Sequence, residues 1–195
     1  VQEMADFVGL AFDLAFKYRN PAIILADGVI GQMMEKVVLP EQRPRLTNEE
    51  VMARCPWATF GKLKHRGPNI VTSLELDPAE MEKRNIHLQQ KYAEIEEKEV
   101  RYEEIHCDDA EYLIVAFGSC ARIAQKAMEE ARAEGIKVGL LRPITLWPFP
   151  SKAIAERSRQ VKGILTVELN AGQMVEDVRL AVECKVPVEY FGRLG

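Results

Sequence analysis

Candidate binding residues follow the predicted strands of this sequence at the points where those strands end: Asp27-Gly28, Gly118-Ser119, Arg142 and Glu168. Ligand sites in parallel sheets gather at these carboxyl ends. A strand that ends in Gly-Ser and turns directly into a helix leaves free backbone N–H groups and the positive end of the helix dipole, which suits an anion. Glycine also favours such turns simply through its backbone freedom. The sequence therefore leaves two interpretations of Gly118-Ser119 open, an anion site and an ordinary turn.

The other positions also have structural alternatives. Asp27-Gly28 either lies near a ligand or only turns the chain. Arg142 fits a salt-bridged loop residue better than a substrate contact. Glu168 could meet a cation across a subunit interface. Asn170, with Gln173 three residues later, fits a helix cap.

The elements that position these residues form an alternating array from Glu111 onward. Apolar runs predict strands near 112–117, 137–141, 163–167 and 187–190, with helices between them. The first of these helices is expected to begin near Cys120 and to end at Gly135. Strands that alternate with helices over short loops predict an α/β fold, a parallel sheet with helices on both faces.

Upstream, the pattern is less regular. Apolar residues at helical spacing predict a helix over 3–18, followed by a buried strand over 22–26. Thr47 with Glu50 predicts a short capped helix, and Asp77-Pro78 begins a longer one. That longer helix is highly charged through Glu104, which is typical of a solvated linker or an interface helix.

Composition limits the function classes. The chain has 195 residues, 47% of them hydrophobic, and a net charge of −4, which does not favour a nucleic-acid partner. No apolar run reaches the roughly 18 residues that span a bilayer, so no membrane association is expected. A basic loop around His65 is interpreted as solvated, with an anion site as the alternative. We expect no metal site, because the cysteines are scattered without metal-ligand spacing: Cys55, Cys107, Cys120 and Cys184.

Three longer motifs carry a family resemblance. They are the strand and Gly118-Ser119 turn, the segment Arg142-Pro-Ile-Thr-Leu-Trp-Pro-Phe-Pro150, and Thr166 to Met174. Together they resemble the transketolase C-terminal-type domain of the α subunit of 2-oxoacid:ferredoxin oxidoreductases, closest to the 2-oxoisovalerate and 2-oxoglutarate members. Residues 25–40 resemble the end of the pyrimidine-binding domain of the same subunit. The resemblance covers nearly the whole chain and indicates an internal piece of a longer polypeptide.

The resemblance implies three regions: residues 1–46 as the end of a thiamine diphosphate pyrimidine-binding-type α/β domain, 47–109 as a linker with a charged helix, and 110–195 as a transketolase C-terminal-like domain. Enzymes of this family decarboxylate a 2-oxoacid on thiamine diphosphate, transfer the acyl group to coenzyme A and pass electrons to ferredoxin. The resemblance assigns thiamine diphosphate and Mg²⁺ mainly to the β subunit, and the 4Fe-4S clusters to other subunits. The activating glutamate is expected upstream of Val1.

The implied partners are the β subunit, the iron–sulfur subunit, ferredoxin, the 2-oxoacid and coenzyme A, in the cytoplasm. Asp27 and Gly28 are expected near the cofactor, and the fragment is expected to be inactive alone. The alternative is a non-catalytic assembly or docking domain of a related thiamine enzyme, of the 2-oxoacid dehydrogenase or transketolase type. If Gly118-Ser119 is an ordinary turn, Ser119→Ala should cost roughly 1 kcal/mol through a lost helix cap, with no change in the Michaelis constants.

Overall fold

The computed structural model describes residues 1–61, 64 and 66–194. The chain forms two compact units, one of residues 1–26 and 32–91 and the other of residues 27–31 and 92–195. Among the described residues, no helix is both long enough and apolar enough to cross a membrane. The elements, in chain order, are α1 (Gln2–Tyr18), α2 (Gly28–Gln32), α3 (Asn48–Arg54), α4 (Pro78–Lys98), β1 (Tyr102–Ile105), β2 (Tyr112–Ala116), α5 (Gly118–Ala133), β3 (Val138–Pro143), α6 (Ser151–Ser158), β4 (Gly163–Glu168), α7 (Met174–Val182) and β5 (Val188–Gly192).

The helix starts of the first unit follow the sequence signals. Helix α3 begins with a capping box, in which the Thr47 hydroxyl accepts from the Glu50 N–H at 3.2 Å and the Glu50 carboxylate accepts from the Thr47 N–H at 2.8 Å. At the start of α4, Asp77 Oδ1 accepts from the Ala79 N–H at 2.8 Å. Both predicted helix starts are confirmed.

The predicted buried strand over residues 22–26 is wrong. This segment is exposed and forms no strand. An apolar run becomes a strand only when a neighbour pairs with its backbone, and none of the five strands that the structure describes pairs with it. Apolarity alone therefore overstated the regular structure here.

The second unit contains a five-stranded sheet of order β1-β3-β2-β4-β5. Strands β3, β2, β4 and β5 are parallel, and β1 is antiparallel to β3. The parallel sheet predicted from the alternating pattern is confirmed.

Helices cover both faces of this sheet, as predicted. On one face, Leu113, Val115 and Ile164 pack with side chains of α6 and α7, including Ile154 and Val178. On the other face, Ile114, Ala116 and Leu140 pack against α5, whose buried residues are Cys120, Ala121, Ala124 and Met128. Burial of apolar side chains on both faces is the main force that holds this unit together.

The predicted charged helix does not continue to Glu104. Helix α4 ends at Lys98, and Tyr102–Ile105 form the antiparallel edge strand β1. Glu103 and Glu104 concealed this strand in the sequence, because charged residues at an edge interrupt the apolar pattern. The sheet thus includes residues before position 110. The domain limits drawn from the sequence stay predictions.

Candidate functional site

The structure places the predicted site residues at or near the carboxyl edge of the sheet. Gly118 is the first residue of α5, directly after β2 and Phe117, and Glu168 is the last residue of β4. Arg142 lies within β3, one residue before its end. Asp27 immediately precedes α2 and belongs to the same compact unit as the sheet.

Asp27 and Ser119, which are 92 positions apart in the chain, contact each other directly. The Ser119 hydroxyl donates to Asp27 Oδ2 at 2.5 Å, and the Ile30 N–H donates to Asp27 Oδ1 at 2.7 Å. The Ser119 hydrogen bond, followed by that of Ile30, lowers the pKa of the Asp27 carboxyl below its ordinary value. Asp27 therefore caps the short helix α2 and links it to the start of α5.

The start of α5 differs from the prediction in two ways. The helix begins at Gly118, whose φ of +56° suits a glycine, rather than near Cys120. Ser119 is thus the second residue of the helix, and its hydroxyl bonds to Asp27 instead of capping α5. The expectation of a cap at Ser119 was wrong. A carboxylate of the protein itself bonds at this helix start, which supports the interpretation of an ordinary turn over that of an anion site.

Glu168 is 1% exposed and holds the start of α7. Its Oε2 accepts from the Met174 N–H at 2.8 Å and from the Gln173 N–H at 3.3 Å, and its Oε1 accepts from the Val175 N–H at 3.0 Å. Asn170 Nδ2 donates to Oε2 at 3.0 Å. A buried carboxylate against free N–H groups is a stable arrangement, because the helix dipole and four donors offset its desolvation.

The assignment of Asn170 as the cap of α7 was therefore wrong. Asn170 Oδ1 accepts from the Gly172 N–H at 2.7 Å and closes the turn, while Glu168 satisfies the helix. The spacing of Asn170 and Gln173 imitated a capping box. The decisive signal, the burial of the Glu168 carboxylate, is absent from the sequence.

Cys120 is buried near both carboxylates. Burial raises the pKa of its thiol, and the negative charges of Glu168 and Asp27 raise it further, against a hydrogen bond from the Leu169 backbone. From the sequence, Cys120 was interpreted only as one of four scattered thiols without metal-ligand spacing. Its environment favours the protonated thiol, so it is suited to packing rather than to nucleophilic chemistry.

Arg142 is part of a cross-strand ion pair. Its Nε donates to Glu103 Oε2 at 2.8 Å, and the two residues are register partners across β1 and β3. This geometry agrees with the salt-bridge interpretation. Of the predicted basic loop, Lys62 and His65 lie outside the described residues, whereas Arg66 donates to the Pro56 carbonyl at 2.5 Å and the Ala58 carbonyl at 2.9 Å.

The described residues contain no cluster of His, Cys, Asp and Glu that could hold a metal ion. Cys55, Cys107 and Cys120 are buried and Cys184 is exposed, and all four are free thiols. Polar groups at the carboxyl edge of the sheet mainly bind one another. The arrangement is thus suited to fixing the shape of an edge, and in this part of the chain it does not assemble a metal centre.

Known proteins are similar to this chain in sequence. Residues 110–195 match the family described as pyruvate:ferredoxin oxidoreductase core domain II. Ketoisovalerate oxidoreductase subunit VorB of Methanothermobacter thermautotrophicus is 49% identical over all of this chain and 53% of its own length. 2-Oxoglutarate synthase subunit KorA of Archaeoglobus fulgidus is 30% identical over all of this chain and 55% of its own length. The chain spans about half the length of these relatives.

A solved structure shares the fold. The 2-oxoglutarate:ferredoxin oxidoreductase of Magnetococcus marinus, solved with 2-oxoglutarate, coenzyme A and succinyl-CoA bound, aligns with a TM-score of 0.55 at 23% identity, over 62% of this chain and 21% of that one. Residues 110–195 are therefore similar to the pyruvate:ferredoxin oxidoreductase core domain II family, and the whole chain is similar to a ketoisovalerate oxidoreductase subunit and a 2-oxoglutarate synthase subunit.

Proposed function

We propose that this chain is part of the α subunit of a thiamine-diphosphate-dependent 2-oxoacid:ferredoxin oxidoreductase. The assembled enzyme decarboxylates a 2-oxoacid oxidatively, forms an acyl-CoA and sends the electrons to ferredoxin through partner subunits, in the cytoplasm. The observation that carries the proposal is the 49% identity to a ketoisovalerate oxidoreductase subunit over all 195 residues. The alternative of a docking domain from another thiamine enzyme is not favoured, because the relatives are oxidoreductase subunits.

The same comparison favours a branched substrate. Identity to the ketoisovalerate relative is 49%, against 30% for the 2-oxoglutarate relative from Archaeoglobus fulgidus. We infer that 2-oxoisovalerate is a better substrate than 2-oxoglutarate for the enzyme that contains this chain.

The described residues do not fit the inorganic cofactors. Fe–S clusters need converging thiolates, and the cysteines of this chain are separate, with three of them buried. The described carboxylates form no cluster for Mg²⁺, and Asp27 and Glu168 already accept hydrogen bonds from the protein. We therefore assign Mg²⁺, the diphosphate and the 4Fe-4S clusters to the β and iron–sulfur subunits.

The role proposed for this chain is to shape a wall of the assembled site. Thiamine diphosphate, when bound, supplies the carbanion chemistry, so the protein need only position and polarise the reactants. Asp27 fixes the segment around Gly28 against α5 through Ser119. A Cβ at Gly28 would meet no atom within 4 Å, so its backbone can approach a cofactor or partner. We propose that Asp27 and Gly28 lie at the interface that encloses the cofactor.

Co-expression of the full-length subunit with its β and iron–sulfur partners tests this function. We expect co-purification, and viologen reduction that requires 2-oxoisovalerate, coenzyme A and thiamine diphosphate together. Thiamine-independent turnover by the α subunit alone would contradict the proposal.

A matched pair of variants tests the Gly28 role. Gly28→Val should lower activity or subunit association while leaving the fold intact, because its Cβ has open space. Gly67→Val is the control, since it makes the same change at another glycine whose Cβ would meet no atom within 4 Å. Equal activities for the two variants, or a complex structure with Gly28 far from both cofactor and partner, would refute the assignment.

A further inference from the structure

We propose that the outer edge of β5, with which no strand of the described chain pairs, binds β5 of a second copy of this chain, antiparallel and about a twofold axis through Phe191. β5 is the last strand of the described sheet and pairs only with β4. An edge strand offers unpaired backbone groups to another chain unless something blocks it.

The hydrogen-bond phase of β5 defines which residues face that edge. The Arg193 N–H donates to the Glu168 carbonyl at 3.2 Å, and the Pro187 carbonyl accepts from the Ile164 N–H at 2.9 Å. The odd-numbered residues thus direct their backbone groups toward β4. Since these groups alternate along a strand, those of Tyr190 and Gly192 point to the open edge.

Only some pairing registers are compatible with this alternation of backbone groups. In an antiparallel pair, the residues that exchange hydrogen bonds must both face the partner. A register that places Tyr190 opposite Gly192 of the copy meets this condition. It also places Phe191 opposite Phe191 of the copy, and Glu189 opposite Arg193 of the copy, as pairs without backbone hydrogen bonds and with closer side chains.

The side chains in this register complement each other. Glu189 and Arg193 are exposed, and the Arg193 guanidinium lies over the Phe191 ring, 5.7 Å from its centre, so that a charge is held beside the proposed axis. The twofold axis would create two Glu189–Arg193 pairs across the interface, which opposite charges in cross-strand positions favour. A self-complementary strand of this kind is what an interface between identical copies requires.

The surface beside this edge is apolar. Phe191 is 51% exposed, and Leu165, which faces the same side of the sheet, is 37% exposed. Pairing would bring the two Phe191 rings together over this face and remove apolar area from water. The two Glu189–Arg193 pairs thus favour this register, and the two Phe191 rings add buried apolar area.

Site-directed cross-linking in the full-length subunit, purified with its partners, tests the pairing. Opposed Cα atoms in a pair without backbone hydrogen bonds are about 4.5 Å apart, which a disulfide can bridge. In a Cys184→Ser background, Phe191→Cys should give about tenfold more disulfide-linked dimer than Leu180→Cys, a control at an exposed residue of α7. Equal dimer yields would overturn the proposal.

Charge exchange tests the register independently. Carried with Phe191→Cys, either Glu189→Arg or Arg193→Glu should lower the dimer yield about tenfold, because like charges then face each other twice. Mixing the two variants should restore the cross-link, since the introduced arginine of one copy then faces the introduced glutamate of the other, and the native Arg193 faces the native Glu189. Failure of the mixture to recover, or an unchanged yield in the single variants, would contradict this register. Circular dichroism verifies that each variant is folded.

Discussion

Replacing Glu168 with glutamine should destabilise the protein strongly although it changes few atoms. The carboxylate is 1% exposed and accepts from the N–H groups of Gln173, Met174 and Val175. Glutamine keeps one acceptor oxygen and places an NH₂ donor where α7 offers further donors. Loss of a helix cap costs about 1 kcal/mol, and a partly buried charge at a helix end is worth up to about 2 kcal/mol. We therefore expect a loss of about 3 kcal/mol.

Urea denaturation of the full-length subunit measures this loss. With a slope of about 2 kcal/mol per molar urea, the midpoint should fall by about 1.5 M. Hydrogen exchange gives a local readout, in which the Met174 and Val175 amides should exchange roughly 100-fold faster. Glu176→Gln, an equal charge change at an exposed position in the first turn of α7, is the control and should cost at most about 0.5 kcal/mol. If Glu168→Gln matches this control, the carboxylate does not hold α7.

Three further predictions concern single groups. Thr166 is fully buried, and its hydroxyl has no hydrogen-bond partner among the described residues. Thr166→Val should therefore raise the free energy of unfolding, measured by urea titration, by about 1 kcal/mol. A lower free energy of unfolding in this variant would show that the hydroxyl has a partner. The Ser119–Asp27 hydrogen bond lowers the pKa of Asp27, so it stabilises the fold above the ordinary Asp pKa of about 3.9, and this contribution is lost as the pH falls through the lowered pKa. In a double-mutant cycle of Ser119→Ala and Asp27→Asn, the coupling energy should be present at neutral pH and vanish in strong acid. A coupling energy that does not change with pH would refute this prediction. Burial, followed by the charge of Glu104, raises the pKa of the Cys107 thiol to about 11. Iodoacetamide at mildly alkaline pH should therefore label the exposed Cys184 well before Cys107, and peptide mass spectrometry measures the two labelling rates. Faster labelling of Cys107 would contradict its burial.

The parallel strands were predictable because each is a compact apolar run between turn signals. Burial on both sheet faces requires such runs, and the run over 113–117 is the clearest case. The end of α5 was predictable for a local reason too, since Gly135 adopts a φ of +89° that other residues resist. The parallel strands and the end of α5 depend on the local sequence, so both can be predicted from it.

Features that depend on pairing were not predictable in the same way. Strand β1 contains Glu103 and Glu104 and exists because β3 pairs with it, whereas the apolar segment 22–26 lacks a pairing neighbour in the described chain. In the candidate site, Asp27, Ser119 and Glu168 were proposed from the sequence, but the contact of Asp27 with Ser119 joins positions 92 apart and could not be predicted. Nor does spacing distinguish Glu168 from Asn170 as the cap of α7, because burial decides it.

The most direct test of the proposed function is the steady-state rate of viologen reduction by the full-length subunit assembled with its partners. We expect a rate that depends on thiamine diphosphate and coenzyme A together, is higher with 2-oxoisovalerate than with 2-oxoglutarate, and disappears when the α subunit is omitted. An equal rate without the α subunit, or one independent of thiamine diphosphate, would contradict it.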